Sequence, residues 1–123
     1  MKKKLLSLVV LASCSGSSFA QTTVIIYGLV DAGITAETGG TAGSVLKLAT
    51  GVQSGNRLGF KGTEDLGSGL KANFHLETGF ELDDGKLRQG GALFGRQAHV
   101  GLSGSFGSIN LGRNYNPFFV ALD

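Results

Sequence analysis

Between residues 70 and 81 the chain alternates strictly. Leu70, Ala72, Phe74, Leu76, Thr78 and Phe80 fall on one parity, and Lys71, Asn73, His75, Glu77 and Glu81 on the other. Successive side chains of a strand point to opposite faces, so this stretch predicts a strand with one apolar and one polar side. Its length of about ten residues is that of a tilted strand crossing a bilayer. A strand in a soluble sandwich alternates in the same way, and this segment alone does not separate the two.

Four further strands are predicted at about residues 23–35, 54–63, 93–103 and 108–115. In the first, Val24, Ile26, Gly28, Val30, Ala32 and Ile34 share a parity, while Tyr27 and Asp31 share the other with Ile25 and Leu29. In the second, Leu58 and Phe60 alternate with Arg57 and Lys61. The spacers are sorted: long at 36–53, short at 64–69, longer at 82–92, short at 104–107, then a tail from Asn116. Alternate short turns and long loops are how outer-membrane barrels are strung, whereas a Greek-key sandwich has no reason to sort its connections this way. The composition agrees with an all-β fold. The 21 glycines, with a single proline and no tryptophan, punctuate patterned apolar runs, and each interior glycine would cost a helix about 1 kcal/mol.

The N-terminus sets the compartment. Lys2, Lys3 and Lys4 precede an apolar run at residues 5–12, and Ser18-Phe19-Ala20 has the small residues that precede a signal-peptidase cut. Residues 1–20 therefore read as a Sec-type export signal, with Gln21 as the mature N-terminus. The run is too short to span a bilayer as a helix, and no later stretch approaches eighteen apolar residues. Leu11-Ala12-Ser13-Cys14 also resembles a lipobox, in which Cys14 would carry lipid; otherwise the mature chain keeps no cysteine and has no disulfide or thiol chemistry. Cleavage takes Lys+Arg from 11 to eight against 9 Asp+Glu, so the formal charge falls from +2 to −1. The basic balance of the whole chain belongs to the signal, and no nucleic-acid partner is expected.

Five strands cannot close a transmembrane barrel, and an open sheet in lipid leaves edge backbone groups unpaired at several kcal/mol each. Residues 21–123 are thus expected to be the N-terminal portion of a longer protein.

Four segments in order carry a resemblance. VIIYGLVDAG at 24–33, RLGFKGTEDLG at 57–67, FGRQAHVGL at 94–102 and FGSINLGR at 106–113 are similar to the first strands and first turn of general porins of Gram-negative bacteria, those of β-proteobacteria above all. The resemblance implies a sixteen-stranded antiparallel barrel in the outer membrane, in contact with lipid and lipopolysaccharide. It also implies a homotrimer, with a water-filled pore for small hydrophilic solutes and ions. In such porins a loop folds inward and its acidic residues face arginines on the wall. By motif position Arg57 and Arg96 match wall arginines, Lys61 shares the parity of Arg57, and Arg113 and Tyr115 lead into the constriction loop. Residues 116–123 would begin that loop, and Asp123 would be the first of its acids. Within the fourth strand, parity groups Arg96 with Phe94, Ala98, Val100 and Leu102 on the lipid side. The resemblance instead turns Arg96 into the lumen and puts Gln97, His99 and Gly101 outside.

The polar face of residues 70–81 has its own physical reason. A pore keeps its water only if its wall is polar, so Lys71, Asn73, His75 and Glu77 are expected to face the lumen, although the same residues also suit a solvated sheet face. Opposed charges across a narrow passage favour polar solutes, and an excess of cations favours anions. His75 lacks a second ligand at useful spacing, so no metal is expected. Gly67-Ser68-Gly69-Leu70-Lys71-Ala72 fits a dinucleotide-binding pattern but precedes a strand, where that pattern needs a helix. Ser44-Val45-Leu46-Lys47 fits S-x-x-K without its companion motifs. Glu64-Asp65 and Asp83-Asp84 are turn and loop acids, which in an external loop could meet divalent cations. No nucleophile, base and orienting acid assemble, so neither an enzyme nor a cofactor is expected. The alternative function is a secreted or lipid-anchored all-β binding module, an adhesin or a sugar-binding domain. Further amphipathic strands encoded after codon 123 would favour the channel.

Overall fold

The computed structural model describes residues 23–41 and 43–118. The export signal, Cys14 and Asp123 lie outside them. Seven strands form, β1 (Thr23–Leu29), β2 (Ala32–Gly40), β3 (Gly43–Thr50), β4 (Arg57–Gly67), β5 (Leu70–Gly79), β6 (Gln97–Gly104) and β7 (Gly107–Arg113), with one 3₁₀ turn at Gln89–Gly91. Five of them make one antiparallel sheet in the order β1-β4-β5-β6-β7, and β2 and β3 pair separately as a hairpin.

The first departure from the sequence expectation is in the N-terminal strand. The predicted first strand breaks after Leu29, and the predicted loop 36–53 contains the returning arm of the β2–β3 hairpin. The break has a cause. The Asp31 carboxylate accepts hydrogen bonds from the amides of Gln53 (2.8 Å) and Ser54 (2.6 Å), while the Asp31 carbonyl takes the amide of Gly51 (2.8 Å). Asn56, fully buried, accepts the Asp31 amide on its Oδ1 (2.5 Å) and donates from Nδ2 to the Thr50 hydroxyl (2.5 Å). The backbone groups freed at the break are thereby satisfied, as buried polar groups must be. The amides of Ser54 and then Gln53 also hold the Asp31 carboxyl below the usual carboxylate range.

The β4–β5 and β6–β7 turns are tight, with two residues each. Ser68 and Gly69 both have positive φ (52° and 77°), the pair of left-handed residues that a two-residue hairpin turn requires. β4 and β5, at 11 and 10 residues, are long enough to cross a bilayer at a tilt.

The register fixes the two faces. One carries Val24, Ile26, Leu58, Phe60, Phe74, Leu76, Ala98, Val100, Ile109 and Leu111; the other carries Tyr27, Arg57, Lys61, Asn73, His75, Glu77, Gln97 and His99. No apolar side chain is buried among the described residues, and the buried polar or charged ones are Asn56, Glu77 and Thr78. Ile26, Val100 and Leu111 are 67%, 60% and 69% exposed. This burial is inverted relative to a soluble sandwich, which packs the apolar faces of two sheets together.

Both edges of the five-stranded sheet, β1 and β7, carry unpaired backbone groups on their outer sides. Residues 21–123 produced alone are therefore expected to give no stable conductance steps in planar bilayers, because lipid cannot satisfy those edges. Large, stable steps from that segment would show that it closes a pore by itself.

Candidate functional site

The polar face is organised around Glu77, which stands near the end of β5 and is only 4% exposed. Tyr27 of β1 donates its hydroxyl to Glu77 Oε2 (2.5 Å). Arg96 donates from Nε to Oε1 (2.6 Å), and the Tyr115 hydroxyl donates to the same oxygen (2.9 Å). Two cations stand over the rings of these phenols: Lys61 Nζ is 5.4 Å from the Tyr27 centroid, and the Arg96 guanidinium carbon is 5.6 Å from that of Tyr115. A carboxylate thus sits among two tyrosines and an arginine, with a cation against each phenol ring. Arg57 pairs across from Leu29 and Gly79, on the same face, within electrostatic reach of Tyr27 and Tyr115.

Local sequence makes room for this cluster. Gly59 pairs with both Tyr27 and Glu77, and a Cβ there would collide with the Tyr27 ring, which lies flat across the glycine. Arg96 arrives by a different route from the one parity suggested. β6 begins at Gln97, so Arg96 lies in the bend before the strand and is not bound by its alternation. Its amide donates to the Glu77 carbonyl (3.1 Å), which sets the guanidinium beside the Glu77 side chain. Parity holds for Ala98, Val100 and Leu102. The outward placement of Gln97, His99 and Gly101 that the resemblance implied is corrected: they pair across from Glu77, His75 and Asn73 on the polar face.

The remaining candidate residues lie around the cluster. Asn73 and Lys71 continue the polar face of β5, where Lys71 is exposed. His75 Nε2 is 2.5 Å from the Tyr27 hydroxyl, and its ring meets His99 edge to face at 5.5 Å between centroids. Arg113 is at the end of β7, across from Ala98 at a register position of the apolar parity and not of the polar one expected for it, and donates from Nη1 to the Gly95 carbonyl (3.1 Å). No group of three metal-ligating side chains occurs among the described residues. Sequence reasoning missed Tyr27 as a site residue, and it missed Arg88. Arg88 forms a two-pronged pair with Glu81 (2.5 and 3.0 Å) in the β5–β6 connection, and its hydrogen bonds hold the Glu81 carboxyl low.

Residues 7–123 match the Gram-negative porin family. The chain belongs to that family. Among curated relatives, this porin chain is 43% identical to an outer membrane porin protein of Bordetella pertussis over 141 aligned residues, covering 100% of this chain and 37% of the relative. It is 46% identical to outer membrane porin protein 32 of Delftia acidovorans over 118 residues, covering 95% and 33%. Among solved structures, the anion-selective porin from Comamonas acidovorans superposes with a TM-score of 0.69 at 42% identity, over 83% of this chain and 30% of that one. The porin chain spans about a third of the length of the relatives it matches. Its open sheet corresponds to one part of a porin barrel.

Proposed function

We propose that this chain contributes wall strands to an outer-membrane channel for passive diffusion of small hydrophilic solutes and ions. The observation that carries the reading is the inverted burial: apolar side chains outward on both long strands, and a hydrogen-bonded polar layer on the other face. The full-length protein is proposed to be a homotrimer of sixteen-stranded barrels meeting lipopolysaccharide on its outer side, as the porin resemblance implies, and to act without catalysis. The binding-module alternative would need its apolar face covered by a second layer, and nothing among the described residues covers it.

Around Glu77, Arg57, Lys61 and Arg96 carry three positive charges against that one carboxylate, which is engaged by Arg96 and two phenols. The remaining excess supports a preference for anions, in keeping with the relative described as anion-selective. Arg113 and Tyr115 lie at the entrance to the proposed constriction loop.

Single cysteines along β5 of the full-length protein test the reading. Water-soluble thiol reagents are expected to modify positions 71, 73 and 75 fast and position 77 slowly, because Glu77 is 4% exposed. Positions 72, 74 and 76 should react only with membrane-soluble reagents. Uniform labelling along β5, or fast aqueous labelling of the apolar parity, would exclude a water-filled barrel.

A further inference from the structure

We propose that Arg88 and Arg96 hold a small dissolved oxyanion, a phosphate or a carboxylate, in a cradle over Gly55. The site rests on the channel reading above and gives that channel a class of solute to retain.

Gly55 lies in the connection between β3 and β4, one residue before the fully buried Asn56. Among the described residues, chain neighbours aside, two atoms come within 4 Å of the point where a Cβ would stand. They are Arg88 Nη1 and Arg96 Nη1, each 3.4 Å away. Two guanidinium nitrogens thus share one side-chain-free point, no further apart than twice that distance. An oxygen seated there is within a few tenths of an ångström of the about 2.7–3.2 Å that N–H···O bonds span. The flexible ends of two arginine side chains can close that gap.

Separate contacts deliver the two arginines. The Arg88 amide donates to the Gly79 carbonyl (2.8 Å) and the Arg96 amide to the Glu77 carbonyl (3.1 Å), so both side chains start beside the end of β5. Gly79 is bare where they pass: a Cβ there would lie 3.2 Å from Arg96 Cδ and 3.3 Å from Arg88 Cβ. Each guanidinium is then fixed by another of its edges. Arg88 uses Nε and Nη2 on Glu81 (2.5 and 3.0 Å), and Arg96 uses Nε on Glu77 (2.6 Å). Those bonds leave Nη1 of each guanidinium unused, and a guanidinium with five N–H donors can hold one carboxylate and still present a second edge.

The surroundings suit a dissolved anion. The side chains of Arg88 and Arg96 are 30% and 13% exposed, so the cradle is open to water yet walled. Arg57 opens β4 two residues after Gly55 and adds a third cation nearby. The carboxylates of the region are already engaged: Glu77 and Glu81 by these arginines, and Asp31 by the amides of Gln53 and Ser54. An oxyanion, with several acceptor oxygens, matches paired guanidinium donors better than a spherical chloride ion does.

Single-channel currents of the full-length protein, with inorganic phosphate replacing chloride stepwise at constant ionic strength, test this. The wild-type current is expected to fall steeply at small phosphate fractions and then level off, as the cradle fills and slows chloride. A current that changes only in proportion to the phosphate fraction would overturn the site. Gly55→Ala puts a methyl group where the oxygen would sit and keeps every charge. Gly55 is not among the glycines with positive φ, and a contact of 3.4 Å is an ordinary one, so the backbone accommodates the change. The phosphate fraction giving half the effect should rise about 5-fold or more, because the oxygen loses its place between two charge-assisted donors. Arg88→Lys keeps the charge beside Glu81 but lacks the planar fork, and should raise that fraction by about the same factor. If one variant does not assemble, the other decides alone. An unchanged half-effect fraction in either assembled variant would mean that the arginines act only as a diffuse field, and would overturn the two-arginine site. No chloride current from the wild type at any composition would overturn the channel reading itself, and the site with it.

Discussion

Glu77→Gln should destabilise the assembled barrel and raise its anion preference together. The substitution keeps shape but removes the charge beneath Arg96, whose side chain is 13% exposed while that of Glu77 is 5% exposed. Removing one partner of a buried ion pair costs about 3–5 kcal/mol, because the other charge is left uncompensated. Lumen water near Arg96 should keep the loss at the lower end of that range. The amide has a second defect. Oε1 can still accept from Arg96 and Tyr115, but an NH2 group replaces the oxygen that accepts from Tyr27. Tyr27 then faces donors on two sides, since His75 Nε2 is already bonded to its oxygen. A Glu77→Gln/Arg96→Gln double variant should recover much of the lost stability, since it leaves no unpaired charge, and the cycle isolates the pair. Thermal unfolding of the four proteins in detergent measures the stability, and reversal potentials measure the selectivity. Equal unfolding temperatures for wild type and Glu77→Gln would mean that the cluster contributes nothing to stability.

The same cluster explains what the sequence could and could not convey. The β4-to-β7 meander was legible because a two-residue period, over strands of seven or more residues, leaves little freedom in assigning faces. The two sides of β5 followed directly. The β2–β3 hairpin was hidden because Gly39, Gly40 and Gly43 read as loop, though Ile34 and Ala36 do pair across from Leu48 and Leu46. Arg96 defeated parity because the strand starts one residue after it, and strand ends are where a bend can redirect a side chain. The role of Glu77 was illegible for a different reason. Its partners lie 50, 38 and 19 residues away in Tyr27, Tyr115 and Arg96, so no local spacing announces them. The meeting of His75 with His99 depends on the β5–β6 register and on the length of the intervening loop, which set it only in three dimensions. Gly59 offered one retrospective signal: a glycine inside a long strand marks close approach, here by the Tyr27 ring.

Arg57 and Arg96 should differ in what their removal does, although both are cations of one wall. Arg57 forms no ion pair among the described residues, so Arg57→Ser subtracts a single positive charge and the volume of its side chain. Conductance should rise and anion preference should fall, with folding little affected. Arg96→Ser subtracts a charge and also uncovers the carboxylate that Arg96 neutralises. Its anion preference should therefore fall further than that of Arg57→Ser, at a cost in stability that Arg57→Ser does not carry. Adding Glu77→Gln to Arg96→Ser should bring selectivity back toward the Arg57→Ser level, because the uncovered negative charge is then gone. Salt provides an internal check, since the Debye length shrinks from ~30 Å at 0.01 M to ~3 Å at 1 M. The differences among the variants should be largest in dilute salt and nearly vanish in concentrated salt. Reversal potentials on the full-length protein at both salt levels measure this. Unchanged selectivity in both single variants would remove these arginines from the charge that ions meet. Equal shifts in the two would mean that Glu77 is screened from the passage by Tyr27 and Tyr115 even when Arg96 is absent.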